Sequence, residues 1–236
     1  MYQLDPQNGI DARESPFVFS RFPGGISSLV FGPQDELMIG TPSGLLCIFD
    51  RKESRRQCVS YHRTPRDLQS VHNDRIVRLV GSNQHSMIAA GGNDNLVSLW
   101  DLSDSKNAIL VNALSDHTSA VRGLSWCPWE NNILMTGGGM NDQTVRIYNI
   151  ATGKCIGVIQ TEAQVTAVQW SLNSRQLLIA ASVESDQLSI WSYPGLQKIG
   201  QMPGHESRPL HLAISPTGEY VVSAAPDENL KVGFYQ

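Results

Sequence analysis

Five segments of this chain close in the same way, and their spacing nearly fixes what the chain can fold into. They are LLCIFD at 45–50, NLVSLWD at 95–101, TVRIYN at 144–149, QLSIWSY at 187–193 and NLKVGFYQ at 229–236. In each, small and apolar residues alternate toward an aromatic, the period-2 pattern of a half-buried strand. The anchoring aromatics Phe49, Trp100, Tyr148, Trp191 and Phe234 stand 51, 48, 43 and 43 residues apart. A propeller blade of four strands repeats every ~40–45 residues. The last two intervals fit, and the first two require longer loops, which SRRQCVSYHRTPRDLQSVHND and SDSKNAILVNALSD supply.

The order of elements recurs inside each unit. An apolar strand comes first: ISSLVF, RIVRLVG, AVRGLSW, QVTAVQW and PLHLAIS. A turn and a second strand follow: LMIGT, MIAAGG, ILMTGGG, LLIAAS and YVVSAA. A tight turn with an acidic residue (Asp94, Asp142, Asp186 or Asp227) then leads into the aromatic strand. Short strands separated by turn residues mark an all-β chain. The expected fold is a WD-repeat β-propeller with about five recognisable blades of an expected seven, incomplete or divergent. Residues 26–236 form the blades, and residues 1–25 are expected to be a poorly ordered N-terminal segment.

Blades of this kind bury a polar network linking a His, a strand hydroxyl, the turn Asp and a Trp, because buried polar groups need partners. The third unit offers His117, Thr136 and Asp142, with Tyr148 at the Trp position. The fifth offers His205, Ser223 and Asp227, with Gly233 at the Trp position. The second offers His72, Asp94 and Trp100, but Ala90 stands where the hydroxyl is expected. On this reading no unit is fully intact. These residues recur once per blade, as scaffold does, so a Ser/His/Asp catalytic triad is not expected.

Composition narrows the function classes. A formal net charge of −4 lacks the basic footprint of a nucleic-acid binder. The local cluster Arg51, Lys52, Arg55 and Arg56 reads as a solvated loop between strands. Cys47, Cys58, Cys127 and Cys155 form no CxxC pair and have no His at zinc spacing, so no metal is expected and a reducing compartment is. The N-terminus has no apolar signal core, and no apolar run nears the ~20 residues of a membrane helix. There is no Walker A, HExxH, GxSxG or dinucleotide fingerprint. A non-enzymatic binding protein without a cofactor is expected.

From about residue 76 onward the chain resembles the Fizzy and Fizzy-related activators of the anaphase-promoting complex ubiquitin ligase. The resemblance rests on GGNDNLVSLWD, AVRGLSWCPWENNILMTGGGMNDQTVRIYN, LSIWSYP and GHESRPLHLAISPTGEYVVSAAPDENL. It implies a substrate receptor that binds KEN-type degrons, and destruction boxes beside them, in mitotic or meiotic progression. The implied partners are anaphase-promoting complex subunits and degron-bearing proteins, with no nucleic acid and no membrane, in nucleus and cytoplasm. By the same resemblance the KEN pocket falls on Asn93, Asn95, Gln164 and Arg208, and Glu228 belongs to a destruction-box groove. Amides can donate and accept at once, and Arg208 suits a degron carboxylate. Met140 and Pro209 depart from the family pattern. The alternative is a WD-repeat scaffold for another assembly.

Overall fold

Alternating apolar residues, stopped by Gly, Asp and Ser turns, leave each segment only short antiparallel pairings with its sequence neighbours. The computed structural model describes residues 25–32, 37–49, 71–82, 86–103, 108–181, 188–202 and 205–234. The regular structure among them is entirely β, in five antiparallel sheets ordered as in a propeller. The first holds β1 (Ser28–Phe31), β2 (Leu37–Gly40) and β3 (Leu46–Phe49). The second holds β4 (Ile76–Gly81), β5 (Met87–Gly92), β6 (Val97–Asp101) and β7 (Ile109–Leu114). The third holds β8 (Val121–Trp126), β9 (Ile133–Gly138), β10 (Thr144–Asn149) and β11 (Lys154–Gln160). The fourth holds β12 (Val165–Trp170), β13 (Gln176–Ala181), β14 (Leu188–Ser192) and β15 (Lys198–Met202). The fifth holds β16 (His211–Ile214), β17 (Tyr220–Ala224) and β18 (Leu230–Phe234).

The first three strands of each blade lie where the repeated segments of the sequence predict them. The stretch containing Ile109–Leu114, expected from the sequence to be loop, is β7, paired along β6. β11 and β15 are the fourth strands that the repeat length calls for but that no sequence pattern locates. Residues 1–24, the basic cluster at 51–56, Cys58, Asp186 and Gln187 lie outside the described residues, as do the side chains of Phe49 and Phe234.

Successive blades join by one repeated contact. The first strand of the incoming blade lays its apolar residues on the second and third strands of the blade before it. Leu79 packs on Met38, Leu46 and Ile48. Leu124 packs on Ala89, Val97 and Leu99. Val168 and Trp170 pack on Met135, Val145 and Ile147. Leu212 and Ile214 pack on Leu178, Leu188 and Ile190. Each fully buried Leu- or Val-sized side chain contributes about 1.5–3 kcal/mol, so these seams carry most of the cohesion between blades.

The glycine doublets of the GGNDN and TGGG turns belong to two different contacts. At Gly91 and Gly137 a Cβ would press on Val121 and Val165 of the next blade. At Gly92 and Gly138 it would overlap the blade's own pair, Asp94 with His72 and Asp142 with His117.

That His–Asp pair is the polar centre of three blades. His72 Nδ1 meets Asp94 Oδ1 at 2.9 Å, and His205 Nδ1 meets Asp227 Oδ2 at 3.0 Å. His117 Nδ1 bonds Asp142 Oδ2, while His117 Nε2 meets Thr136 Oγ1 at 2.6 Å. His205 Nε2 meets Ser223 Oγ at 2.8 Å. The second blade corrects the sequence reading, which found no hydroxyl there. Ala90 pairs across the ladder with Ser98, and Ser98 Oγ meets His72 Nε2 at 2.8 Å. The Trp100 indole N–H donates to the same Ser98 oxygen at 2.9 Å. This blade is therefore intact, its hydroxyl carried by the third strand. In the third blade the Tyr148 hydroxyl turns to Asp116 Oδ2 at 2.9 Å instead.

In the fifth blade Gly233 pairs with Val221, as Trp191 pairs with Leu177 and Trp100 with Ile88. The aromatic position is vacant, and a cavity of about 110 Å³ remains between Met202, His205, Val221 and Ser223.

Candidate functional site

The turns that join second to third strands, and the segments that lead into first strands, sit at the same end of each blade as the His–Asp pairs. The turn aspartate sets their shape. Asp94 accepts from the backbone N–H of Asn73 at 2.9 Å and of Leu96 at 3.3 Å, besides binding His72. Asp227 accepts from the N–H of Glu206 at 2.9 Å and of Asn229 at 3.1 Å. Burial acts to raise the Asp227 carboxyl pKa, but these two N–H donors and His205 outweigh it and hold the group at about 2. Burial pushes the His117 imidazole below its ordinary value, against the opposing pull of Asp142.

The residue after each aspartate is forced into the left-handed region. Asn95 has φ 69°, Gln143 has φ 54° and Glu228 has φ 63°. Asn tolerates this geometry best, whereas Gln and Glu cost about 1–2 kcal/mol there. The turn alone therefore accounts for Asn95. It does not account for Glu228, which is exposed at the corresponding place of the fifth blade.

Among the sequence-predicted residues, Gln164 and Arg208 are brought together. Gln164 immediately precedes β12 and Arg208 precedes β16, and Arg208 Nη1 donates to Gln164 Oε1 at 3.0 Å. The backbone beside Arg208 is fixed: Pro209 is buried, and its carbonyl accepts from the Thr166 hydroxyl. The Thr166 bond to this carbonyl thus fixes the backbone next to Arg208. A guanidinium carries five N–H donors, so those not aimed at Gln164 remain for an acceptor beyond the rim.

Asn93 and Asn95 are placed together on the second blade but make no hydrogen bond with Gln164 or Arg208. The Asn93 amide N–H donates to Asp74 Oδ2 at 2.7 Å, and its backbone N–H donates to the Arg75 carbonyl at 2.8 Å. The bond from Asn93, aided by the Arg75 N–H, holds the Asp74 carboxyl below the ordinary carboxylate range. Sequence reading missed Asp74, which carries no signal beyond an Asp in a polar loop. The third blade lies between the two pairs. Gly137 pairs with Val145 where Gly91 pairs with Val97, so its turn is two residues longer and lifts Met140 to 68% exposure.

The CPW motif locks the third blade to the fourth. Trp129 meets Trp170 edge-on at 5.4 Å and Tyr193 at 5.5 Å, with Arg175 stacked 5.2 Å over its ring. Its indole N–H donates to the Ser171 carbonyl at 3.0 Å, and the Tyr193 hydroxyl donates to Glu130 at 2.9 Å. These contacts join the third and fourth blades at the end of β12 away from Gln164. Among the described residues no group of three or more His, Cys, Asp or Glu could hold a metal, and no helix is long and apolar enough to cross a membrane.

Comparison with known proteins agrees with this architecture. Residues 82–173 match the family "Anaphase-promoting complex subunit 4 WD40 domain", and residues 196–232 match "WD domain, G-beta repeat". The chain is 41% identical over 162 residues to "Anaphase-promoting complex subunit cdc20" of Dictyostelium discoideum, covering 69% of this chain and 32% of that protein. It is 40% identical to "Cell division cycle 20.1, cofactor of APC complex" of Arabidopsis thaliana, over 68% of this chain and 36% of that protein. It is 37% identical to "WD repeat-containing protein slp1" of Schizosaccharomyces pombe, over 68% of this chain and 33% of that protein. The matched region is thus about a third of these relatives' length. Among solved structures, a chain of "Crystal Structure of Mitotic Checkpoint Complex" superposes with a TM-score of 0.79 at 32% identity, covering 89% of this chain and 63% of that one.

Proposed function

The chain carries Cdc20/Fizzy-family homology over about two-thirds of its residues, and on that premise we propose that it is a substrate receptor of the anaphase-promoting complex. It binds degrons of the KEN type on the turn face of the blades and so promotes ubiquitin-dependent proteolysis in cell-cycle progression. Its partners are subunits of that ligase and degron-bearing proteins, in nucleus and cytoplasm. The chain itself catalyses nothing in this role: it holds a peptide while the ligase does the chemistry.

The observation that carries the reading is the Arg208–Gln164 hydrogen bond across two blades. It sets a cation and an amide side by side, on backbone fixed by Thr166 and Pro209. A Lys-Glu-Asn ligand needs an anion, a cation and amides at fixed positions. Arg208 meets the degron Glu in a charge-assisted pair. Asp74, held ionised beside Asn93, meets the Lys, and the amides of Asn95 and Gln164 meet the Asn. Glu228 lies on the blade that would carry one wall of a destruction-box groove, and it suits an arginine.

The test is a titration with a fluorescent KEN peptide beside one whose Lys-Glu-Asn is replaced by alanine. Selective binding is expected. Arg208→Ala should weaken it about tenfold or more, the loss of one charge-assisted hydrogen bond. Equal binding by wild type and Arg208→Ala, or equal binding of both peptides, refutes the assignment.

A further inference from the structure

The histidine of each polar pair stands four residues before the buried residue at which its blade begins to pack: His72 before Ile76, His117 before Val121 and His205 before Pro209. The same place before Val165 belongs to Thr161, so the fourth blade has a threonine where the second, third and fifth have the histidine. Those histidines turn into their own blades, to Asp94, Asp142 and Asp227. The Thr161 hydroxyl reaches the preceding blade instead. Thr161 Oγ1 lies 2.8 Å from the Gln143 carbonyl and 2.8 Å from the Ala163 carbonyl. A hydroxyl carries one proton, so the two carbonyls share it. The Thr161 backbone N–H donates to the same Gln143 carbonyl at 2.9 Å, and the Gln160 amide does so at 3.1 Å.

Both carbonyls belong to segments of the candidate site. Gln143 closes the third-blade turn that bears Met140, its N–H donating to the Gly139 carbonyl at 2.9 Å. Ala163 is buried and immediately precedes Gln164. Between Thr161 and Ala163 the chain bends through Glu162 at φ 61°, in the left-handed region that a residue other than glycine adopts at a cost. The Thr161 hydroxyl bridges this bend and so fixes the direction in which the chain enters Gln164. Gln164 Oε1 then accepts from Arg208 Nη1 at 3.0 Å. With its oxygen turned to Arg208, Gln164 presents its N–H groups to a ligand, and these suit the side-chain carbonyl of a degron asparagine.

We propose that Thr161 is a positioning residue of the degron pocket: it ties Gln164 to the third blade and so sets the preference for asparagine at the last place of Lys-Glu-Asn. The inference rests on the degron reading of the site. Thr161 acts through Gln164 and not on the peptide. Its backbone N–H keeps the bond to Gln143 when the side chain is changed. Loss of the hydroxyl therefore releases the bend at Glu162 without parting the blades. The effect falls on the recognition of one ligand residue, because Arg208, which meets the degron Glu, stands on backbone held separately by Thr166.

Titration of the full chain with Lys-Glu-Asn and Lys-Glu-Ala peptides tests it. Thr161→Val keeps the shape of the side chain and loses the hydroxyl, whereas Thr161→Ser keeps the hydroxyl. Thr161→Val should weaken the Lys-Glu-Asn peptide about three- to tenfold, the worth of one hydrogen bond, and leave the Lys-Glu-Ala peptide unchanged. Thr161→Ser should bind as wild type does. In a Gln164→Ala background Thr161→Val should change nothing further, because the two act as one unit. Circular dichroism confirms that the variants fold, and Thr161→Ala is a second hydroxyl-free variant if valine does not. Equal weakening of both peptides overturns the proposal, since a purely structural role would produce it. So does wild-type affinity in Thr161→Val, a Thr161→Ser chain no better than Thr161→Val, or a loss that persists without Gln164. In each of these cases selective binding by wild type, lost in Arg208→Ala, leaves the degron reading standing. A wild type that does not distinguish Lys-Glu-Asn from three alanines overturns that reading and the proposal together.

Discussion

Replacing Ser98 by alanine should damage the second blade far more than its size suggests. Asp94 is acceptor-only, so it fixes the proton of His72 on Nδ1 and leaves Nε2 as an acceptor. Ser98 then donates its hydroxyl proton to Nε2 at 2.8 Å while its oxygen accepts from the Trp100 indole at 2.9 Å. Ser98 is 0% exposed and His72 2%, so water does not replace the lost hydroxyl. Losing a partner in a buried site costs about 1–3 kcal/mol per group, giving about 2–6 kcal/mol for the acceptor on His72 and the donor on Trp100 together. For a chain of this length, at about 2–4 °C per kcal/mol, that is a fall in melting temperature of roughly 4–24 °C. The assay is a circular-dichroism melt of Ser98→Ala beside Ser98→Ala with Ala90→Thr. The third blade carries Thr136 at the place of Ala90, where it serves His117 Nε2. The double variant should therefore recover the His72 share of the loss and not the Trp100 share. A Ser98→Ala chain within about 0.5 kcal/mol of wild type, the range of surface substitutions, would refute the relay as a source of stability.

Other outcomes follow from the same geometry. Gly138→Ala should cost about 2 kcal/mol or more, because its Cβ overlaps the Asp142–His117 pair; Gly195→Ala, with nothing nearer than 3.4 Å, should barely move the urea midpoint. Gly233→Trp should fill the fifth-blade cavity once the Met202 methyl swings aside, raising stability by about 1 kcal/mol in the same assay. His117 has a depressed pKa in the folded chain, so the unfolded chain binds the proton first. Its contribution is complete above the ordinary 6.5 and is lost as pH falls below it. Asp227, held at about 2, adds a second loss between the ordinary 3.8 and that value. Urea midpoints across pH should thus be flat above neutrality and fall in two steps on acidification, and a rise below pH 6 would contradict the His117 assignment.

The blades were legible in the sequence because the third strand of each repeats an aromatic and the turn repeats an Asp. The outer strands were not, because their apolar residues face solvent: Ile109, Val111, Ile156 and Val158 are each about half exposed. Without a core face, period-2 alternation loses its meaning. Ser98 was missed because a hydroxyl was sought on one strand, while the ladder sets Ala90 and Ser98 side by side and either can reach His72. The Arg208–Gln164 pair was nameable by resemblance, but their hydrogen bond spans 44 positions and two blades, which no local pattern encodes. Asp74 was invisible for a simpler reason: its significance lies wholly in the amide that Asn93 turns toward it.

The glycine doublets have a consequence for how such a chain changes over time. Gly92 answers to a histidine in its own repeat, but Gly91 answers to Val121, which the next repeat encodes. The unit that is copied in the sequence and the unit that fits together in space are therefore out of phase by one seam. A blade exchanged as a whole repeat arrives with a seat cut for a neighbour it has left behind, whereas an exchange cut between first and second strands would carry seat and occupant together. Drift at Val121 is tied to a residue 30 positions upstream rather than to its own blade, so neighbouring repeats of this chain age as linked pairs and not as independent copies.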